Sequence, residues 1–318
     1  MQRNWFQSLV FFVLLISGFF QFENLKAQPG SLRPEWQHLP QVEDTLATLS
    51  NIILTDSIAT NRFIACRQMI PTLVRALKSP NSFDYPFPKI ESISIQYPED
   101  STFRIFTWQL VDERNDVRYY GAIQMNTPEL KLFPLVDRSF SIENPESVML
   151  SADKWFGALY YRVKAFDTPT GKKYLCFGFD ADNMFLRKKL VDVLSFGADG
   201  KPVFGAPVFQ HFDPDGMPSF TRSRVFLEYS ADAKVKFNYD EAANMIIFDH
   251  LVPLGSLYNG QGMALVPDGT YEAYELKDGI WRHVDKLEIT PMEEAPRPEP
   301  VLENTTRDKK TDLFGRRN

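Results

Sequence analysis

Residue types that commonly form catalytic and metal centres are scarce in this sequence. It contains four histidines and two cysteines in 318 residues. The cysteines, Cys66 and Cys176, are far apart and have no histidine near them, whereas structural zinc ligands come in closely spaced pairs. A nucleophile elbow, a P-loop and a dinucleotide-binding fingerprint are also missing. The sequence therefore predicts no catalytic residue, no cofactor-binding residue and no metal ligand.

Long runs of positive charge or of apolar residues are likewise rare. The net charge is −6 and no basic block is present, so the long-range field does not favour binding to phosphate backbones. We therefore expect no nucleic-acid partner. After the N-terminal segment, no apolar run reaches the roughly 20 residues that a membrane-spanning helix needs. We expect no transmembrane segment once a signal peptide has been removed.

The first 27 residues have the features of a signal peptide. Arg3 gives a positively charged start, residues 8–20 form a short apolar core, and Ala27 is a small residue at the predicted cleavage site. The alternative is an uncleaved anchor, which the short core disfavours. No cysteine lies near the cleavage site, which argues against a lipid anchor. We therefore expect an exported protein without residues 1–27, either periplasmic or associated with the outer membrane.

Two interpretations of the cysteine pair remain open. In an exported protein, Cys66 and Cys176 could form a disulfide between the N-terminal region and the β domain. Alternatively, both are small buried apolar side chains, as free cysteines often are. Spacing alone does not show whether the two sulfurs meet.

Aromatic residues and turn signals, in contrast, are abundant. The 27 phenylalanines, 12 tyrosines and 5 tryptophans favour strands. From Phe156 to Lys164 the side chains alternate between two faces, as in a strand. The run 173–179 is apolar on both faces and is predicted to lie centrally in a sheet. Asp199-Gly200 between apolar runs is a strong hairpin signal, and hairpins in series form an antiparallel meander.

About thirteen strands are predicted between residues 81 and 290. They indicate a mainly β domain, an antiparallel meander that forms a curved sheet or a barrel-like sandwich. Within it, we interpret residues 137–150 as an internal boundary, and residues 211–221, which contain two prolines, as a long loop. Residues 291–318 have little to bury and are predicted to be a disordered C-terminal tail.

Residues 28–80 are predicted to form an N-terminal helical hairpin, with a first helix over residues 42–54. Pro71 lies inside the second helix, where it predicts a kink or a break near Arg67. The second helix carries an apolar stripe that is expected to pack on one face of the sheet or over the mouth of a barrel. The stripe consists of Phe63, Cys66, Ile70, Leu73, Val74 and Leu77.

Three groups of residues could form a site, and each has a simpler structural explanation. Asp249-His250 joins a carboxylate and an imidazole, but neighbours in a strand point to opposite faces. Segments 180–183 and 213–216 resemble calcium loops, but they lack the closing glutamate and also fit ordinary turns. Seven aromatic residues could line a sugar or lipid surface, although aromatic side chains in strands usually belong to the core. These are Trp108, Tyr119, Tyr120, Trp155, Tyr160, Tyr161 and Trp281.

Four segments resemble a family of uncharacterised exported proteins from Bacteroidota-type bacteria. They are KWFGALYY (154–161), GKPVFGAPVF (200–209), RVFLEYSADAKVKFNYDE (224–241) and MIIFDHL (245–251). The likeness covers most of the chain from the first helix to residue 289. It implies export and a bacterial envelope setting, and it carries no catalytic residue over to this chain.

The sequence leads to one main hypothesis of function and two alternatives. The main one is an exported, non-catalytic β-rich protein that acts by interaction in the bacterial cell envelope, with another envelope protein or a small ligand as partner. The first alternative is a lipid- or glycan-binding protein with its ligand in a half-open barrel. A deep apolar cavity under residues 56–78 would support it. The second is a hydrolase without a recognisable motif. A cleft with converging carboxylates, or with His250 at its base, would support it.

Overall fold

The computed structural model describes residues 33–183, 185–213, 215–254 and 264–287. Two helices come first, α1 (Leu39–Thr55) and α2 (Ala59–Leu77), and sixteen strands follow within the described ranges. No helix in this part of the chain is long and apolar enough to cross a membrane. The predicted signal peptide (1–27) and C-terminal tail (291–318) lie outside the described residues.

The strands are arranged in three sheets. In chain order they are β1 (Ser94–Gln96), β2 (Phe103–Val111), β3 (Val117–Met125), β4 (Leu132–Val136), β5 (Leu150–Ser151), β6 (Leu159–Thr168), β7 (Gly171–Asp180), β8 (Leu186–Phe196), β9 (Pro202–Phe204), β10 (Phe209–Phe212), β11 (Pro218–Arg222), β12 (Val225–Ser230), β13 (Phe237–Asp240), β14 (Met245–Leu254), β15 (Ala264–Lys277) and β16 (Ile280–Val284). The first sheet has the order β1-β2-β3-β4. The central sheet has the order β5-β9-β8-β7-β6 with β12 also paired to β8, and the third has the order β11-β10-β16-β15-β14-β13.

The named strands pair antiparallel except for β10 and β16, which run parallel, and the sheets do not close into a barrel. The prediction of a mainly β, antiparallel fold with an N-terminal helical hairpin is confirmed. The long loop predicted at residues 211–221 is wrong, because this segment contains most of the β10–β11 hairpin. Pro218 begins β11 at the outer edge of the third sheet, where its missing N–H breaks no ladder.

Apolar side chains fill three successive layers. The helices cover one face of the first sheet, a second core lies between the first and central sheets, and a third core lies between the central and third sheets. Strand β7 contributes to both inner cores, with Tyr174 and Cys176 on one face and Leu175 and Phe177 on the other. The prediction that residues 173–179 lie centrally is therefore confirmed.

The apolar stripe of α2 packs directly on the first sheet. Cys66, Leu73 and Leu77 of the stripe are buried in the same core as Phe106 of β2, so the stripe covers a sheet face. The inclusion of Ile70 is wrong, because Ile70 is 38% exposed and Met69 is buried on that side of the helix instead. Helix α2 runs through Pro71, and the predicted break does not occur. Because Arg67 and Pro71 are both exposed, water can reach the carbonyl group that loses its donor.

The two cysteines are free and buried on opposite sides of the first sheet. Cys66 belongs to the helix-facing core, whereas Cys176 belongs to the core between the first and central sheets. The disulfide interpretation is therefore wrong, and the interpretation as two buried apolar side chains is correct. Burial raises the pKa of the Cys66 thiol and of the Cys176 thiol.

Candidate binding cleft

A cleft with both charged and apolar lining residues opens between the first sheet and the end of β7 in the central sheet. Its volume is about 940 Å³. One wall comes from β3 and β4, another from residues 137–145, and a third from the β7–β8 turn. The lining residues are Arg114, Asp116, Val117, Arg118, Tyr119, Tyr120, Leu135, Val136, Asp137, Ser139, Phe140, Pro145, Phe156, Asp180, Asp182 and Lys188.

Asp137 holds the wall of the cleft together through its carboxylate. Oδ2 accepts a hydrogen bond from the backbone N–H of Tyr119 at 3.0 Å. Oδ1 accepts from the backbone N–H of Ser139 at 3.0 Å and from that of Gly157 at 3.3 Å. One side chain therefore joins β3, the segment after β4 and the start of the chain leading into β6.

Asp180 and Tyr119 form a buried pair at the cleft. The Tyr119 hydroxyl donates to Oδ1 of Asp180 at 3.0 Å and accepts from the backbone N–H of Ala181 at 2.7 Å. The backbone N–H of Asp182 also donates to Oδ1 of Asp180, at 2.9 Å. Asp180 is 7% exposed, and burial raises its pKa against the opposing effect of these hydrogen bonds. Local sequence patterns do not indicate this pair, because β3 and β7 are far apart in the chain.

Each cation of the cleft pairs with a nearby carboxylate, and one of these carboxylates, Asp112, lies outside the lining. The three ion pairs are Lys188–Asp182 at 2.9 Å, Arg114–Asp116 at 3.5 Å and Arg118–Asp112 at 3.6 Å. Pairs of this kind on a solvated surface contribute little to stability. The lining contains three cations, Arg114, Arg118 and Lys188, and one more aspartate than cations. The cleft therefore suits a polar ligand without a strong net charge.

Phe140 is the exposed aromatic ring of the cleft. It lies in the 3-10 turn Ser139–Ser141 and is 84% exposed. The other three aromatic rings are packed. Tyr119 is buried, Tyr120 stacks on Trp108 at 5.7 Å between ring centroids, and Phe156 contacts Phe226 at 4.8 Å. Phe140 is thus available to a ligand. Sequence analysis missed it because residues 137–150 have no strand period.

Most of the seven aromatic residues selected from the sequence belong to the core, as interpreted. Five are buried, namely Trp108, Tyr119, Trp155, Tyr160 and Trp281, and Tyr120 and Tyr161 are half-buried. The space under residues 56–78 is filled by the side chains of the first core. Among the described residues, no deep apolar cavity lies under residues 56–78, so the cavity expected for a helical lid over a barrel is not found.

Of the two calcium-like segments, residues 180–183 have side-chain oxygens with partners within the chain. In residues 180–183, Asp182 pairs with Lys188, and Asn183 accepts hydrogen bonds from two backbone N–H groups that follow it. In the other segment, the backbone N–H of Gly216 donates to the carbonyl oxygen of Asp213 at 2.8 Å, within the turn that joins β10 and β11; residue 214 lies outside the described residues. Over the ranges described, no three histidine, cysteine, aspartate or glutamate residues are placed to hold a metal ion.

Asp249 and His250 have different partners, as expected for neighbours in a strand. Asp249 accepts from the backbone N–H of Lys236, whereas His250 donates through Nδ1 to Oε1 of Glu272 at 2.6 Å. The second oxygen of Glu272 accepts from Nε2 of His283, also at 2.6 Å. Sequence analysis missed Glu272, because only the register of β14, β15 and β16 brings the three side chains together. His250 does not line the cleft.

Comparisons of the chain with protein-family models, with curated proteins and with solved structures find no match. Inferences about its role therefore depend on the geometry of the cleft and on the sequence.

Proposed function

We propose that this chain is an exported, non-catalytic binding protein of the bacterial cell envelope, and that its cleft binds a neutral, hydroxyl-rich ligand such as a glycan. The observation that supports the proposal best is the exposed ring of Phe140 beside a row of paired charges. The signal-like N-terminus supports the location, and the shape and chemistry of the cleft support the ligand class.

The size and polarity of the cleft fit a short oligosaccharide. Ligand sites typically have volumes of about 300–1,000 Å³, and this cleft lies at the upper end of that range at about 940 Å³. An aromatic face packs against the apolar face of a sugar ring. Hydroxyl groups both donate and accept, so they can bond with the carboxylates and the guanidinium groups of the walls. A lipid chain would remove water from these charged groups and would make no hydrogen bonds with them.

A hydrolase is the second candidate, and Asp180 is the observation that favours it. Its pKa is raised by burial at the edge of a cleft, and a carboxyl group with a raised pKa can serve as a general acid. The same group also fits a binding role, because a protonated carboxyl donates a hydrogen bond to a ligand oxygen. We favour binding, because the other carboxylates of the cleft hold backbone N–H groups or cations.

An array of bacterial envelope glycans tests the proposal. We expect the mature protein to bind at least one of these glycans, and Phe140→Ala to weaken that binding about tenfold, which corresponds to ~1.4 kcal/mol. Phe185→Ala is the matched control, since Phe185 is also exposed but lies outside the cleft lining. The proposal fails if no glycan binds, or if both variants bind like the wild type.

Product analysis separates binding from hydrolysis. Each bound glycan is incubated with the wild type and with Asp180→Asn, and the mixtures are analysed by mass spectrometry. We expect intact glycan in both mixtures. Shorter products from the wild type that are missing with Asp180→Asn would establish the hydrolase instead.

A further inference from the structure

A row of polar side chains crosses four strands of the third sheet. His211 lies on β10, His283 on β16, Glu272 on β15 and His250 on β14. The rings of His211 and His283 are 4.3 Å apart between centroids, and Glu272 accepts from His283 and His250 at 2.6 Å each. The row therefore contains three of the four histidines of the chain in one contact network.

His211 is held by two rings and one hydroxyl. Its ring stacks on Phe220 of β11 at 4.3 Å with an interplanar angle of 16°, and His283 packs at the same distance. Nε2 of His211 lies 2.7 Å from the hydroxyl oxygen of Tyr274. Burial raises the pKa of Tyr274, so its hydroxyl keeps its proton and can either donate to Nε2 of a neutral imidazole or accept from it.

Charged and titratable groups surround this ring from each neighbouring element. They are Arg222 of β11, Glu146 paired with Arg222 at 3.2 Å, Glu272 and Tyr274 of β15, His283 and Asp285 at the end of β16, and His250 of β14 beyond Glu272. Burial, followed by the nearby His283 and Arg222, lowers the pKa of His211 from 6.5 to about 4, against the opposite effect of Glu272 and Asp285. Burial raises the pKa of Glu272, but hydrogen bonds from His283 and His250 outweigh it and the net shift is downward.

The β10–β11 hairpin is attached to the sheet by very little backbone pairing. Strand β10 meets β16 at two positions, Phe209–Trp281 and Gln210–Arg282. Strand β11 is the outer strand and pairs with β10 alone among the described strands. His211 follows these two positions directly, so its side chain supplies the next contact between the hairpin and the sheet.

We propose that His211 is a pH-sensitive latch, which holds the β10–β11 hairpin on the third sheet when its ring is neutral and releases it when the ring is protonated. Protonation makes both ring nitrogens donors, so the contact with Tyr274 can then run only from Nε2 to the hydroxyl oxygen. The same proton places a positive charge in a half-buried stack that already faces Arg222 and His283. Release uncovers the edge of β16.

The sign of the pH effect follows from the two states of the ring. The attached ring has a pKa of about 4, and the released ring has the ordinary value of 6.5. The latch is therefore fully effective above pH 6.5 and weakens as the pH falls towards 4. At pH 5 this difference increases the released population by about tenfold to thirtyfold relative to pH 7.5.

The released segment ends before Arg224. The guanidinium of Arg224 lies 2.7 Å from the carboxylate of Asp192, and both side chains are fully buried. This pair fixes the chain just after β11. The cleft wall at Pro145, whose carbonyl accepts from Arg224, is fixed with it. The latch therefore acts independently of the binding proposed for the cleft.

Hydrogen exchange of the full mature protein at pH 7.5 and pH 5.0, corrected for intrinsic rates, tests the latch. We expect the protection of the β10 and β11 amides to fall about tenfold to thirtyfold at pH 5.0, while β7 amides keep their protection. In His211→Phe, which keeps a flat ring in the stack and cannot be protonated, this pH dependence should vanish. His38→Gln is the control, because His38 contacts Ser79 in the helical region instead.

Equal protection of the hairpin at both pH values in the wild type would overturn the proposal. A loss of protection that persists in His211→Phe would also overturn it, since another group would then be responsible. If His211→Phe already loosens the hairpin at pH 7.5, an NMR titration of the His211 ring in the wild type tests the latch instead. A ring that titrates at its ordinary pKa, or without a matching change in the hairpin amides, contradicts the latch.

Discussion

Gly157 and Asp137 approach so closely that no side chain fits between them. A Cβ atom added to Gly157 would lie 2.5 Å from Cγ of Asp137, and the backbone N–H of Gly157 donates to that carboxylate at 3.3 Å. This contact closes one side of the cleft. Glycine is needed at position 157 for space, and the sequence alone showed only a glycine near a strand.

Gly157→Ala is expected to displace the Asp137 carboxylate and to lower the free energy of unfolding by about 1–3 kcal/mol, because buried backbone N–H groups lose their acceptor. Urea unfolding measures the change. Gly197→Ala is the control, because the nearest atom there is the end of a flexible side chain, Oδ1 of Asp199 at 3.1 Å. Equal stabilities of the two variants would contradict the role of the contact.

Asp180 should make the protein less stable as the pH rises. Its folded-state pKa lies above the ordinary value of 3.8 because of burial, so ionisation costs the folded state stability once the pH passes that pKa. Asp180→Asn keeps an oxygen that accepts from Tyr119 and removes the charge. We expect this variant to be more stable than the wild type at neutral pH and equally stable near pH 3.

Thermal unfolding across this pH range checks the effect, with Asp116→Asn as control. Asp116 also lines the cleft but is exposed, so its substitution should change stability by less than about 0.5 kcal/mol at either pH. If the wild type is more stable than Asp180→Asn at neutral pH, the folded state stabilises the ionised Asp180 carboxylate, and the prediction is contradicted.

The Asp192–Arg224 pair is fully buried, and it should behave as a unit. Removing either partner alone leaves an uncompensated buried charge, so Asp192→Leu and Arg224→Met should each cost about 3–5 kcal/mol. The double variant should cost clearly less than the sum, since it leaves no charge behind. A double-mutant cycle by chemical unfolding measures this coupling, and additive effects would contradict it.

Export can be tested independently of the fold. We expect the protein expressed in a bacterial host to be recovered outside the cytoplasm with Gln28 as its first residue. Ala27→Leu should slow or block the cleavage, because the residue before the cleavage site must be small. Recovery of an unprocessed wild-type chain in the cytoplasm would refute the signal-peptide prediction.

Local sequence patterns correctly predicted the elements that are determined by residues close together in the chain. Asp199-Gly200 joins β8 to β9 as predicted, and the apolar run 173–179 is the doubly buried part of β7. The prediction from local pattern was wrong at residues 211–221, where two prolines indicated a loop. Pro218 stands at the first position of an outer strand, which is one of the few strand positions that tolerate proline.

The cleft, in contrast, could not be predicted from local pattern. Tyr119, Asp137 and Asp180 come from three separate segments, and only the packing of the first sheet on the central sheet brings them together. Each residue alone is an ordinary strand or turn residue. The same holds for Glu272, whose two histidine partners lie on the strands on either side of it.

Native mass spectrometry of the protein purified from its own cell envelope tests the central claim most directly. We expect a bound species of carbohydrate mass on the wild type, lost or strongly reduced in Phe140→Ala and kept in Phe185→Ala. A lipid adduct, no adduct, or an adduct that Phe140→Ala keeps unchanged would contradict glycan binding in the cleft.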